Sequence, residues 1–165
     1  HGWFDKRFIY DESFKTPLII KWPNVIKPGT TSEEMVQNLD FAQTFLEAAM
    51  IDVPNDMQGE SLVPLLKGES DQWNREAVYY HYYEYPSVHM VKRHYGIVSK
   101  EFKLVHFYND IDEWELYDRI KDPQEMNNVY GNPDYKKVVD KLTQDLKEMR
   151  KKYKDSDLLD KSFIY

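Results

Sequence analysis

The sequence lacks cysteine, and it also lacks long apolar runs and an excess of basic residues. Without cysteine, these 165 residues can form no disulfide, no cysteine-ligated zinc site and no cysteine nucleophile. No apolar run is long enough for a helix to cross a bilayer, so no membrane span is predicted. The formal net charge of −7 argues against a nucleic-acid partner, because such a partner requires a basic surface. An anionic substrate would therefore need a local basic pocket.

Aromatic residues, by contrast, are abundant. They make up 15% of the chain and include 13 Tyr and 4 Trp, within a hydrophobic share of 41%. A chain of this length and composition can bury a genuine core. We therefore expect a globular protein of one domain, or of one small domain with part of another.

The chain opens with HGWFDKRF, in which His1 and two aromatic residues precede Lys6 and Arg7. Natural N-termini are usually polar and frayed, so this dense start predicts that the chain was cut from a larger protein. A lysine held in a walled pocket can bind a tetrahedral oxyanion and stabilise charge that develops on it. From spacing alone, ordinary surface cations are the favoured interpretation of Lys6 and Arg7.

Residues 1–70 show a mixture of strand and helix patterns. The apolar run over residues 17–23, closed by a proline at each end, predicts a buried strand. Helical spacing of apolar residues predicts a helix over residues 40–50. A segment bracketed by glycines, residues 59–68, predicts a short helix that ends at Gly68. We expect a domain boundary near Ser70.

Residues 71–165 show a different pattern of short strands followed by one long helix. Four strands of one antiparallel sheet are predicted over residues 77–85, 95–99, 102–108 and 114–117. Asn132 is predicted to cap a C-terminal helix whose apolar stripe covers one face of the sheet. The stripe comprises Tyr135, Val138, Val139, Leu142, Leu146, Met149 and Tyr153. The predicted fold is therefore α+β, with a small antiparallel sheet packed by a long helix.

The histidines do not predict a metal site, and the tyrosine strand allows two interpretations. The five His include no pair spaced for one helix face and no HExxH motif, so a complete metal site is not predicted. The strand YYHYYEYP, residues 79–86, could line a saccharide pocket, although alternating Tyr also packs half-buried strands against helices. The loop that follows concentrates His89, Lys92, Arg93 and His94, which is a second candidate site for an anionic ligand.

Five segments stand in a fixed order along the chain. They are HGWFDKRFIYDESFKTPLIIKWP, NLDFAQTFLEAA, QGESLVPLLKG, YYHYYEYP and EWELYDRIKDPQEMNNV. Together they resemble the C-terminal part of a type I sulfatase of the alkaline-phosphatase-like superfamily, in the branch that acts on sulfated glycans. The resemblance covers almost the whole chain. It implies that residues 1–70 belong to the catalytic α/β domain of a sulfatase and that residues 71–165 form its C-terminal α+β subdomain.

The resemblance also implies roles for individual residues. HGWFDK is similar to the segment that follows the metal-binding Asp-Asn pair of the family, so Lys6 is expected to contact the sulfate, with His1 beside it in the catalytic site. His89, Arg93 and His94 are expected to contact the sugar. The implied substrate is a glycan that carries a sulfate ester or an N-sulfate, and export to the periplasm or the exterior is implied by the family alone.

The same resemblance implies that important parts lie outside these residues. The family motif Cys-x-Pro-x-Arg or Ser-x-Pro-x-Arg, whose first residue becomes the formylglycine nucleophile, does not occur here. The calcium ligands of the family precede His1. The chain alone is therefore predicted to be inactive and to have the N-terminal catalytic portion of a sulfatase as its partner. Two alternatives are a phosphodiesterase or phosphonate hydrolase of the same superfamily and a stand-alone glycan-binding module built on the tyrosine strand.

Overall fold

The computed structural model describes residues 6–109 and 111–157. Within them, residues 18–76 form one compact unit, and residues 6–17 together with 77–157 form another. The predicted division at residue 70 concerns the domains of a larger enzyme and stays a prediction. Across the described ranges, no helix has both the length and the apolar character needed to cross a membrane.

The regular elements follow one another along the chain as short helices, then strands, then one long helix. They are helix α1 (Asp11–Phe14), helix α2 (Asp40–Ala48), helix α3 (Val63–Lys67), strand β1 (Ala77–Tyr82), strand β2 (His94–Ser99), strand β3 (Phe102–Phe107), strand β4 (Glu113–Asp118) and helix α4 (Lys136–Lys152). Two single turns of 3-10 helix, Ser70–Gln72 and Pro133–Tyr135, complete the set.

The four strands form one antiparallel sheet in the order β1-β2-β3-β4, which confirms the predicted sheet. The junction between β2 and β3 is a tight hairpin, in which the Ser99 hydroxyl accepts from the Phe102 N–H and donates to the Phe102 carbonyl. Strand β1 is shorter than predicted and ends at Tyr82. The Tyr85 N–H donates to the Tyr83 carbonyl, and this local turn takes the backbone out of the sheet.

Helix α4 covers one face of the sheet, as the apolar stripe predicts. Leu142 and Leu146 are buried in one core cluster with Ile97, Leu104 and Leu116, which lie side by side on three adjacent strands. The cap is also as predicted, because the Asn132 side chain accepts from the Asp134 N–H where the 3-10 turn leads into α4. Burying these leucines stabilises this unit.

The N-terminal segment crosses the opposite face of the sheet. Phe8 packs against His94, and the Tyr10 ring meets Tyr117 edge-on. A Cβ atom at Gly96 would lie 2.8 Å from the Ile9 side chain and 2.6 Å from a carbonyl of β3, so only glycine permits this close approach. The segment that precedes α1 is therefore held directly on the sheet.

The unit of residues 18–76 differs from the sequence prediction at its start. Residues 17–23 form no strand, and the Ile19 side chain is 92% exposed, so the predicted buried strand is wrong for this chain. A strand needs a neighbour that pairs with its backbone groups, and the described part of this unit contains no other strand. Helix α3 ends at Gly68, which has a φ of 83°, as predicted.

Helix α2 is held by a buried carboxylate at its first residue. Asp40 accepts two hydrogen bonds from the Arg75 guanidinium and one from the Glu60 N–H. A bidentate pair of this kind fixes geometry as well as charge. The helix ends at Ala48 rather than at Met50, which adopts a left-handed φ of 57°.

Candidate functional site

Two segments that carry the predicted site residues meet at one end of the sheet. They are the N-terminal residues from Lys6 onwards and the loop of residues 83–93 that connects β1 to β2. Arg7 Nη2 donates to His89 Nε2 at 2.6 Å, because a guanidinium has no acceptor and the imidazole nitrogen must supply one. His1 lies outside the described residues.

Arg7 is the residue that links the two segments. Its Nε lies 3.8 Å from a Glu84 carboxylate oxygen, and its carbonyl accepts from the Tyr80 hydroxyl at 2.7 Å. Lys6 is exposed beside it. Lys6 and Arg7 thus form a local basic surface on a chain of net negative charge, which is the kind of site an anionic ligand requires.

The loop cations are used within the loop. Lys92 Nζ donates to the Tyr85 hydroxyl at 2.5 Å and lies 4.0 Å from the centroid of the same ring. Arg93 is only 5% exposed, and its Nε donates to the Tyr83 carbonyl at 2.9 Å. These contacts join the start of the loop to its end. The loop therefore has a defined shape, with His89 half-buried beside Arg7.

His94 lies inside the unit. Its ring is fully buried, stacks on Phe8 and Tyr82, and donates from Nδ1 to the Lys92 carbonyl at 2.8 Å. Burial lowers the pKa of His94 to about 4, so the ring is neutral near neutral pH. A direct contact with a sugar would require this packing to open. The geometry favours a role in holding Phe8, and with it the N-terminal segment.

The other described histidines serve as packed, hydrogen-bonded side chains. His81 Nδ1 donates to an Asp155 oxygen at 2.7 Å, and its Nε2 accepts from the Tyr108 hydroxyl at 2.6 Å. Burial lowers the pKa of His81 to about 4, although the Asp155 carboxylate acts in the opposite direction. His106 stacks on Trp114 with 4.0 Å between ring centroids.

The described ranges hold no group of three or more His, Asp or Glu side chains placed to bind a metal ion. Two neighbouring acids, half-buried Asp11 and buried Glu125, are already engaged by the cations of Lys103 and Arg119. These acids are therefore structural partners of cations and do not form an open oxygen-ligand cage of the kind calcium needs.

The sequence pattern does not single out Glu84, which stands within the tyrosine strand. It names Arg7 beside Lys6 but favours a surface cation for it. The contact between Arg7 and His89 spans 82 positions of sequence, so it depends on how the N-terminal segment lies on the sheet. The available signal was the block HGWFDKRF, which places Arg7 next to Lys6.

Comparison with protein families identifies the class to which this sheet, helix and basic site belong. Residues 1–152 match the family described as N-sulphoglucosamine sulphohydrolase, C-terminal. The chain therefore belongs to the sulfatases of the alkaline-phosphatase-like superfamily, and it corresponds to their C-terminal part. This confirms the resemblance that the five sequence segments indicated.

Two curated relatives of this chain are both named as sulfatases. The chain is 56% identical over 160 residues to an N-acetylglucosamine-6-O-sulfatase from Bacteroides thetaiotaomicron, covering 95% of this chain and 28% of the relative. It is 29% identical to an ulvan-active sulfatase from Formosa agariphila, covering 88% of this chain and 35% of the relative. The chain thus spans about a third of the length of these curated relatives.

Solved structures show the same fold. One, described as a complex with its substrate D-glucosamine-2-N,6-O-disulfate, matches with a TM-score of 0.91 at 56% identity, covering 95% of this chain and 32% of that one. A phosphonate monoester hydrolase from Silicibacter pomeroyi matches with a TM-score of 0.78 at 25% identity, covering 92% of this chain and 31% of that one. Sulfatases and phosphonate hydrolases therefore share this C-terminal architecture.

Proposed function

We propose that residues 1–165 form the C-terminal part of an enzyme that hydrolyses a sulfate group on a glucosamine-containing glycan. The observation that carries this proposal is the 56% identity with an N-acetylglucosamine-6-O-sulfatase over nearly the whole chain. The 25% identity with a phosphonate monoester hydrolase is much lower, so sulfate is favoured over phosphonate as the group that is cleaved.

In this proposal, the basic surface of Lys6 and Arg7 meets the anionic end of the substrate. Lys6 is exposed and contacts the sulfate, where its ammonium stabilises charge as the bond to sulfur breaks. His1 is proposed to stand beside it in the same site. Arg7 is held between Glu84 and His89, so it orients the loop that faces the sugar.

Among the three residues predicted to meet the sugar, His89 is the best placed. It is half-buried at the meeting point of the two segments, whereas Arg93 and His94 are buried in the support of the loop. We infer that His89 contacts the saccharide directly. Arg93 and His94 act through it, because they fix the loop and the N-terminal segment on which the site depends.

The chemistry of bond cleavage is supplied from outside this chain. The family relatives imply a metal in the intact enzyme, and we propose that calcium and the formylglycine nucleophile belong to the portion that precedes His1. Calcium bound there would supply positive charge near the sulfate. The residues of this chain bind the sulfate at Lys6 and orient the sugar at the loop of residues 83–93.

The unit of residues 18–76 offers a surface for that N-terminal portion. Leu18, Phe41, Phe45 and Leu66 line a groove of about 350 Å³, and the Ile19 side chain beside it is exposed. Exposed apolar patches of this kind mark interfaces. We propose that the N-terminal catalytic portion covers this groove, since the curated relatives extend well beyond the share that this chain matches.

The test uses the intact enzyme, meaning residues 1–165 joined to the portion that we propose precedes them. Glucosamine 6-O-sulfate, glucosamine 2-N-sulfate and a phosphonate monoester are offered in parallel, and released sulfate or phosphonate is measured. We expect turnover of at least one sulfated sugar. Turnover of the phosphonate monoester alone would identify a phosphonate hydrolase, and saccharide binding without turnover would identify a glycan-binding module.

We also propose that the intact enzyme is exported to the periplasm or the exterior. The support is the resemblance to exported glycan sulfatases alone. Cell fractionation of the source organism, with an antibody against this chain, tests the proposal, and recovery in the cytoplasmic fraction would contradict it.

A further inference from the structure

One lysine of the sheet is completely buried, on the face that the N-terminal segment crosses. Lys103 is the second residue of β3 and is fully enclosed. Its ammonium donates to the Ile9 carbonyl at 2.8 Å and to an Asp11 oxygen at 2.7 Å, and it lies 2.5 Å from a Glu125 oxygen. Lysine is almost never fully buried unless it is paired, so this cation has a specific role.

The acceptors of Lys103 come from two distant segments of the chain. Ile9 and Asp11 belong to the N-terminal segment, whereas Glu125 follows β4. The second oxygen of Glu125 accepts from the Asp11 N–H at 3.0 Å. Arg119 adds a second cation, donating to the other Asp11 oxygen at 2.8 Å. Two cations and two carboxylates thus fasten the N-terminal segment to the sheet.

This cluster fixes one register of the N-terminal segment. The Lys103 ammonium donates two hydrogen bonds to the N-terminal segment and forms an ion pair with Glu125. A shift of the segment by one residue would leave this buried charge without its partners. Packing reinforces the same register, because Ile9 is fully buried over Gly96 and the Tyr10 hydroxyl donates to Glu115 at 2.9 Å. Apolar contacts alone would tolerate small slides that the charged acceptors do not.

The register matters because the proposed sulfate-binding residue lies just upstream. Lys6 precedes Ile9 by three residues, a span of at most about 10 Å of chain. Arg7 lies between them and reaches the His89 ring. An anchor at residues 9–11 therefore sets where both cations of the basic surface stand.

We propose that Lys103 is a positioning residue of the active site, acting with Glu125, and that it places Lys6 and Arg7 by fixing residues 9–11 on the sheet. This inference rests on the proposed function. Lys103 touches no substrate. Its effect on turnover passes through the N-terminal segment, so loss of the ammonium displaces the sulfate-binding residue without removing it.

The experiment compares three variants of the intact enzyme. Lys103→Met removes the ammonium and keeps an unbranched apolar chain, and Glu125→Gln removes one acceptor charge at constant shape. Leu142→Ala is the matched control, because Leu142 is buried on the opposite face of the same sheet. Melting temperature, kcat and KM are measured for a sulfated glucosamine and for a small aryl sulfate. Hydrogen exchange is followed at the Asp11 amide, which donates to Glu125.

We expect Lys103→Met to lower kcat on both substrates by roughly 10- to 100-fold, since small misplacements of a reacting site have effects of this size. Exchange at the Asp11 amide should accelerate in Lys103→Met and Glu125→Gln. Leu142→Ala should lower the melting temperature while kcat of the folded enzyme stays within roughly twofold of wild type.

The outcomes separate this proposal from the proposed function. A wild-type enzyme without sulfatase turnover overturns the function and the positioning role together. An active wild type in which folded Lys103→Met matches Leu142→Ala in kcat overturns the positioning role alone. If Lys103→Met does not fold, Glu125→Gln decides by the same comparison. Unchanged exchange at Asp11 in Glu125→Gln would also overturn the proposal.

Discussion

The Arg7 guanidinium donates a 2.6 Å hydrogen bond to the His89 ring, and this contact joins the start of the chain to the loop between β1 and β2. The contact exists because the N-terminal segment lies across one face of the sheet, where the Tyr80 hydroxyl donates a hydrogen bond to the Arg7 carbonyl. Helix α4 covers the other face. The sheet therefore serves as a platform, with its core on one side and the basic surface on the other.

We expect the purified chain of residues 1–165 to show no sulfatase activity, with or without added calcium. It has no cysteine, and a binding lysine cannot replace an activated nucleophile. Sulfate release from an aryl sulfate measures this directly, with the intact enzyme as the positive control. Turnover that persists through a second purification would contradict the prediction.

Leu142→Ala should lower the free energy of unfolding by roughly 2–5 kcal/mol, which is the range for a buried leucine. Leu142 is only 5% exposed and packs in the core between α4 and the sheet. Denaturant unfolding followed by circular dichroism gives the value. Lys137→Ala, at an exposed position of the same helix, is the matched control and should change it by less than about 0.5 kcal/mol. A loss below about 1 kcal/mol for Leu142→Ala would show that α4 is not packed on the sheet.

The ring of His94 should remain neutral in the folded protein down to about pH 5, because burial lowers its pKa to about 4. The unfolded chain takes up this proton near its ordinary pKa of about 6.5. Below that pH the unfolded state binds more protons, so His94 contributes a loss of stability as the pH falls from about 6.5 to about 4. Proton NMR of the ring, assigned by the signal lost in His94→Phe, measures the titration. A midpoint near 6.5 in the folded protein would contradict the burial argument.

The sequence predicts the sheet and the long helix well because their signals are local. Runs of Tyr, Val and Phe mark the strands, and the spacing of Leu142 and Leu146 marks the buried face of α4. The run of residues 17–23 carries an equally strong apolar signal, but that signal indicates burial without naming what covers it. The prediction of a strand there failed because the described part of this unit contains no strand that pairs with it.

The candidate site was predictable only in part, for a similar reason. Lys6 was found through the family resemblance, whereas the roles of Arg7 and Glu84 follow from a register that no local pattern encodes. Lys103 stands in the strand FKLVHF, where it shares one face with the apolar residues Val105 and Phe107. This placement was the available signal. A buried lysine and a surface lysine are otherwise indistinguishable in a sequence.

Ile19→Asp should weaken association between this chain and a separately produced N-terminal portion of the enzyme. Ile19 is 92% exposed beside the apolar groove, and a carboxylate placed in a buried interface would lose its hydration without a partner. Calorimetry of the two mixed pieces measures the affinity. Ile120→Asp is the matched control, because Ile120 is also largely exposed but lies in the other unit. Equal effects of both changes would show that the groove is not the interface.

Lys6→Ala and His89→Ala should impair the intact enzyme in different ways. Lys6 is proposed to touch the sulfate as charge builds, so its loss should lower kcat on every substrate, including an aryl sulfate without a sugar. His89 is proposed to meet only the glycan. Its loss should reduce kcat/KM for the sulfated saccharide by a factor that corresponds to about 0.5–1.5 kcal/mol, the net value of one hydrogen bond. The kcat/KM for the aryl sulfate should stay nearly unchanged.

The matched comparison for this pair is Arg93→Ala, which removes a buried support of the same loop. If the loop acts on the sugar through His89, Arg93→Ala should, like His89→Ala, lower kcat/KM for the saccharide more than for the aryl sulfate. It should also lower the melting temperature. Steady-state kinetics on both substrates, with melting curves of all three variants, distinguish these effects. Equal losses on the saccharide and the aryl sulfate for His89→Ala would show that the loop supports the sulfate site, and the sugar-binding role of residues 89–94 would then have to be withdrawn.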